Sequence, residues 1–285
     1  MMNISEVKGK IPKELYDSLE RRSFTTFLPA QEAALKNGLL DDVNVLICTP
    51  TASGKTLIAE IAMLSSIYNN IGKAIYIAPL KALASEKFFQ FKHLYPNLKV
   101  ALTTGDLDEK TPYARNADIV FTTSEKLDSE IRHDVSFLQE VKVIVIDEIH
   151  LLHDASRGPT LEVLITILKR MKGMRIIGLS ATIGNPQELA EWLNANLVFD
   201  TWRPVELKKA LFFENKLEYF DTGKRLDLIQ KPLNELKNTP ISIAASKRSI
   251  EKEQSNQNDI KDKKSPTPSS KKENQITSPQ RTLDF

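Results

Sequence analysis

The sequence predicts an α/β fold built on a mostly parallel sheet. Three observations carry this. Short runs rich in Val, Ile and Leu recur between amphipathic stretches. One of them leads directly into "TPTASGKT" (49–56), and another ends in the acid pair Asp147-Glu148. Strands buried on both faces read as near-continuous apolar runs, and strand–helix–strand repetition means parallel pairing with right-handed crossovers.

The elements follow in order. Two helical segments, 12–21 and 29–39, precede the first strand. Strands are expected at 43–48, 74–79, 99–104, 117–123, 142–147 and 175–181, with a last one at 205–213. Helical patterns at 54–69, 81–93, 124–131, 159–172 and 186–194 separate most of them. The chain has 285 residues, 41% hydrophobic and 27% charged, which suits a sizeable core. Its net charge of +2 sets up no global field for nucleic acid, so any such binding must be local. The single cysteine, Cys48, excludes an internal disulfide and fits a reducing cytoplasm. The N-terminus has no signal-peptide pattern, and no apolar run is long enough to span a membrane. Residues 254–285 hold only Ile260, Ile276, Leu283 and Phe285 as apolar residues, so this tail is expected to be disordered.

The chemistry is concentrated in the loops after the strands. Thr49, Pro50, Thr51, Ala52, Ser53, Gly54, Lys55 and Thr56 join a strand to a helix, which aims backbone N–H groups and a helix N-terminus at one anion. Lys55 is expected to reach the β- and γ-phosphates of a nucleotide, and the Thr56 hydroxyl to bind Mg²⁺. Thr49 stands where the strict loop pattern has glycine. Asp147 would hold the metal ion through its water shell, and Glu148 would orient and deprotonate an attacking water. His150, beside these acids, reads as a link to a moving element.

In this order, "TPTASGKT", "DEIH" (147–150) and "SAT" (180–182) resemble the first RecA-like domain of a superfamily-two helicase. "LPAQEAALKNGLL" (28–40), "APLKALASEK" (78–87), "TTGD" (103–106) and "TTSEKLDS" (122–129) extend the likeness. So do "RGPTLEVLI" (157–165), "LSATIGNPQELAEWLNA" (179–195) and "WRPVEL" (202–207). Together they are similar to archaeal Ski-two-like DNA repair helicases, the Hjm/HelQ group. The likeness covers roughly residues 15–250. It implies a RecA-like P-loop NTPase domain using ATP and Mg²⁺. Gln31 would read the adenine edge. Ser180, Ala181 and Thr182, with His150, would couple the γ-phosphate to domain movement. Pro79, Lys81, Thr104, Gly105, Thr123, Ser124 and Lys126 would line a single-strand track. Phe27 reads equally as a base-packing or a core aromatic, and Trp202 as a packing residue at a domain edge.

The resemblance divides the chain into N-terminal helices with the adenine-reading segment (1–40), the ATP-binding domain (41–222), the start of a second RecA-like domain (223–253) and the tail (254–285). No later arginine-bearing motif follows, and Arg248 lies too early to match one. A shortened helicase, weakly active until a separate chain supplies the remaining domains, is one expectation. An accessory protein that binds ATP and single strands without unwinding is the other. Gln280, Leu283 and Phe285 resemble a sliding-clamp peptide, with a chance apolar ending as the equal alternative. Single-stranded or branched DNA is the expected partner.

Overall fold

The computed structural model describes residues 1–105, 116–205, 208–213, 216–220 and 231–232. The chain divides into two compact units, Met1–Glu206 and Leu207–Phe285.

The first unit is an α/β sandwich around one seven-stranded sheet. In chain order the helices are α1 (Lys13–Arg21), α2 (Pro29–Lys36), α3 (Lys55–Tyr68), α4 (Lys81–Leu94), α5 (Ser124–His133), α6 (Gly158–Lys169) and α7 (Pro186–Leu193). The strands are β1 (Asn44–Cys48), β2 (Lys73–Ala78), β3 (Val100–Thr103), β4 (Ile119–Thr123), β5 (Val141–Ile146), β6 (Arg175–Ser180) and β7 (Ala195–Phe199). The order across the sheet is β3-β4-β2-β5-β6-β1-β7, and every pairing is parallel. The expected α/β class therefore holds, with a sheet that is wholly rather than mostly parallel in this unit.

Period-two alternation sorts the strand side chains onto two cores. Val45, Ile47, Tyr76, Phe121, Val145 and Ile177 face one core, covered by α1 to α4. Leu46, Ile75, Ile77, Val120, Ile144 and Ile176 face the other, covered by α5 to α7. Helix α3 is buried from Leu57 to Ser66 and so carries a charge into the interior: Glu60 is 1% exposed. The Arg22 guanidinium and the Tyr95 hydroxyl both donate to its Oε1. Removing one partner would leave an uncompensated buried carboxylate, at a cost of about 3–5 kcal/mol.

Most expected elements appear within one or two residues of their predicted bounds. Helix α2 stops three residues earlier than expected, because the Asn37 side chain donates back to Ala33 O and Gly38 takes φ +92°. Strand β7 was not expected at all. It follows α7 with only Asn194 between them, held in a left-handed conformation at φ +49°. Only Val198 in it is buried, while Phe199 is 50% exposed. A short edge strand with so mixed a pattern leaves no apolar run to detect. The strand expected at 205–213 forms only at β8 (Lys209–Phe213) and belongs to the second unit. There it pairs antiparallel with β9 (Lys216–Phe220), which pairs antiparallel with β10 (Lys231–Pro232). Apart from β10, the predicted second-domain segment 223–253 lies outside the described residues, as do Arg248 and the clamp-like Gln280, Leu283 and Phe285. No helix among the described residues is long and apolar enough to cross a membrane.

Candidate nucleotide-binding and strand-binding site

Parallel pairing brings the predicted site residues to one edge of the sheet, because every strand ends there. Strand β1 delivers the 49–54 loop, β5 delivers Asp147, and β6 delivers Ser180.

The loop is held from inside. Thr49 and Ser53 are fully buried, and their hydroxyl oxygens lie 2.7 Å apart in a hydrogen bond. A glycine at position 49 could not make this closure. Gly54 has φ +83° and caps α3, and a Cβ there would lie 2.2 Å from Gln31 Nε2. Ala52 also takes a left-handed φ of +65°. Lys55 Nζ donates to the Thr49 carbonyl at 2.9 Å and the Pro50 carbonyl at 3.1 Å. Burial pushes its pKa below the ordinary lysine value, against the pull of Glu148 and Asp147, while nearby Arg203 lowers it further. The ammonium is thus partly desolvated beside the acid pair, and a charge-assisted bond to phosphate there is stronger than one in water.

Gln31 is tied to the same loop. Only 2% exposed, it donates from Nε2 to Gly54 O at 3.1 Å, and its Oε1 accepts from Leu28 N at 2.9 Å. Phe27 is 1% exposed inside the core, so the core reading of its aromatic ring is the one observed.

The acid pair is equally constrained. Asp147 N donates to Ile77 O at 2.9 Å, continuing the β2–β5 ladder past the end of β5. Its Oδ1 accepts from Glu148 N at 3.0 Å, and its Oδ2 from the Tyr76 hydroxyl at 2.6 Å. Both oxygens have one directed partner each, so the carboxylate plane is fixed. Tyr76 itself is buried and packs on Phe121, with ring centroids 5.6 Å apart. Burial, reinforced by the Asp147 charge, raises the tyrosine pKa well above normal and keeps it a donor. Glu148 takes φ +51°, a conformation that costs a non-glycine residue roughly 1–3 kcal/mol and persists only where its surroundings enforce it. Its Oε2 is buried without a hydrogen-bond partner. That oxygen lies 3.3 Å from His150 Nδ1, which itself accepts the Ala181 amide at 3.4 Å. Accepting from Ala181 assigns the imidazole proton to Nε2, so Nδ1 and the carboxylate share no hydrogen. The strands thus place Glu148, His150 and the 180–182 turn in one connected row. Ser180 is fully buried with an unpartnered hydroxyl, and Thr182 is exposed.

The expected single-strand residues lie along the β2, β4 and β3 side of the same edge. Pro79 and exposed Lys81 follow β2, and half-buried Thr104 and Gly105 follow β3. Thr123 closes β4 and caps α5, its hydroxyl accepting from Lys126 N at 3.4 Å. Ser124 is buried, and Lys126 Nζ lies 3.8 Å from Glu130. Arg157, which carried no predicted role, donates from Nη1 to Pro79 O at 3.2 Å, so one more cation joins this row.

Sequence reading also passed over Tyr76 and Arg203. A signal for Tyr76 existed: it is the one polar-tipped side chain in "AIYIA", in a strand whose parallel partner ends at the acid pair. Arg203 stood in the quoted "WRPVEL" segment, but only the pairing of β7 with β1 brings it to the loop.

Residues 28–189 match the DEAD/DEAH box helicase family. The chain is 47% identical over 224 residues to the ATP-dependent DNA helicase Hel308 of Pyrococcus horikoshii, covering 78% of this chain and 31% of that protein. It is 51% identical over 201 residues to the Hel308 helicase of Methanococcus vannielii, covering 68% and 26%. Against that of Methanocella arvoryzae it is 44% identical over 225 residues, covering 76% and 30%. The chain spans less than a third of the length of these relatives.

Proposed function

Because the chain belongs to the DEAD/DEAH box helicase family, we propose that it binds and hydrolyses ATP to drive movement along single-stranded DNA. The observation that carries this reading is the meeting of three things at one sheet edge: the loop with Lys55, the fixed Asp147-Glu148 pair, and Gln31 bonded into the loop. The loop amides and Lys55 hold the phosphates, in line with the half-buried position of that ammonium on the loop. Thr56 and, through the ion's water shell, Asp147 would hold Mg²⁺, a hard cation that takes oxygen ligands beside phosphate and water. Glu148 orients the attacking water and takes its proton. Gln31 would read the adenine edge with the second hydrogen of Nε2 and a remaining lone pair on Oε1. His150 and residues 180–182 transmit phosphate loss, since the imidazole accepts the Ala181 amide and lies beside the Glu148 carboxylate. Pro79, Lys81, Thr104, Gly105, Thr123, Ser124 and Lys126 contact the strand backbone without reading sequence.

The groups assembled here bind the ground state and position water. The transition-state cation and the second half of the strand grip would come from further domains. That the similar relatives are DNA helicases favours DNA over RNA. Calorimetry with Mg-ATP and steady-state ATPase with and without single-stranded DNA test the reading. Saturable Mg-ATP binding is expected, and a chain that binds no nucleotide refutes it. Binding without DNA-stimulated turnover, even with the remaining domains added, would favour the accessory-protein alternative.

A further inference from the structure

Strand β7 has a consequence at the nucleotide site. It runs parallel beside β1, with Phe199 opposite Cys48. Asp200 N continues the pairing to Cys48 O at 3.3 Å, one residue before the phosphate-binding loop begins. The Asp200 carboxylate then accepts Trp202 N at 2.9 Å, a local turn that bends the chain. Arg203 leaves this turn over the loop, and its Nη1 donates to Thr51 Oγ1 at 3.5 Å.

We propose that Arg203 is a phosphate-binding residue of the nucleotide site, supplied by this chain itself. The inference rests on the ATP-binding reading above. A long, weak hydrogen bond from an exposed guanidinium to a neutral hydroxyl contributes little by itself. It does fix where the charge lies. That position sets a second cation beside the loop on which the half-buried Lys55 already lies. Among the described residues Arg203 has no carboxylate partner. Two cations converge on a loop whose backbone geometry already suits an anion, and a polyphosphate relieves both. A guanidinium offers a planar, two-pronged donor to phosphate oxygens, which the Lys55 ammonium does not. The alternative is a surface arginine that merely lies near Thr51.

The test uses the full 285-residue chain. Affinities of ATP, ADP and adenosine are measured by calorimetry for wild type, Arg203→Ala, Arg203→Lys and, as reference, Lys55→Met. Arg203→Ala should weaken Mg-ATP about 5- to 20-fold, less than a buried charge-assisted contact because the group is exposed. Adenosine affinity should not change, and Arg203→Lys should recover part of the loss. A larger loss for ATP than for ADP places the contact at the γ-phosphate. Equal losses for both place it nearer the base, and either result supports the proposal. Unchanged ATP affinity in Arg203→Ala, with Lys55→Met still weakened, overturns this inference alone. An equal loss for adenosine also overturns it, since a phosphate contact cannot act there. Unchanged ATP affinity in both variants removes the nucleotide-site reading with it.

Discussion

Lys55→Met separates what the lysine does for the empty protein from what it does for a bound nucleotide. The substitution keeps the aliphatic stem and deletes the charge. In the folded chain that charge is half-buried, satisfied only by the Thr49 and Pro50 carbonyls, and its pKa is depressed mainly by burial. A lysine depressed in this way opposes folding while it is charged. Between the depressed value and the ordinary 10.5 the unfolded chain holds more protons, so its contribution to stability rises with pH across that window. The variant loses this rise and should be no less stable than wild type near neutrality. Nucleotide binding should move the other way. Losing a charge-assisted contact to phosphate weakens Mg-ATP by about 2–3 kcal/mol, or about 30–150-fold. At a free ATP concentration about 100 times the wild-type Kd, the wild type gains about 2.7 kcal/mol of stability. A variant about 100-fold weaker gains about 0.4 kcal/mol at the same concentration. For a domain of this size that corresponds to shifts of about 5–10 °C and about 1–2 °C. Thermal unfolding with and without Mg-ATP, with calorimetry alongside, measures both effects. Equal ATP-induced shifts in the two proteins would refute the assignment of Lys55 to the phosphates.

Four further outcomes are expected. Tyr76→Phe deletes only the hydroxyl that fixes Asp147 Oδ2; the Mg²⁺ concentration for half-maximal nucleotide binding should rise about 3- to 10-fold, and an unshifted Mg²⁺ titration would deny the tyrosine any positioning role. Gln31→Ala strands the Leu28 amide and the Gly54 carbonyl, so it should cost about 1–3 kcal/mol of stability in denaturant melts and narrow the preference for ATP over GTP. A synthetic 274–285 peptide tests the clamp resemblance, with micromolar binding at best to the host's sliding clamp; no saturable binding would dismiss it. The 285-residue chain alone should hydrolyse ATP slowly, because a transition-state arginine contributes about 10³–10⁵ in rate, and DNA-stimulated turnover above about one per second would show that none is needed from outside.

The sequence by itself determined the parallel sheet and the location of its chemistry. Apolar runs such as "VIVI" can be satisfied only by burial on both faces, and parallel strands must all end at the same edge. That Lys55, Thr56, Asp147 and Glu148 share one edge was therefore legible from spacing, while Gln31 and residues 180–182 were singled out only by a resemblance carried by many ordered motifs. Tertiary structure decided what depends on neighbours distant in the chain. It showed why Thr49 serves where a glycine is usual, since its hydroxyl meets Ser53 inside the loop. It buried Phe27 and Gln31, which pattern alone left open, because burial depends on what α3 and β1 pack against them. It placed Tyr76 on Asp147 across the β2–β5 register. It also formed β7, whose pairing energy comes from β1 rather than from its own residues, and this strand brings Arg203 to the phosphate loop from 152 residues away.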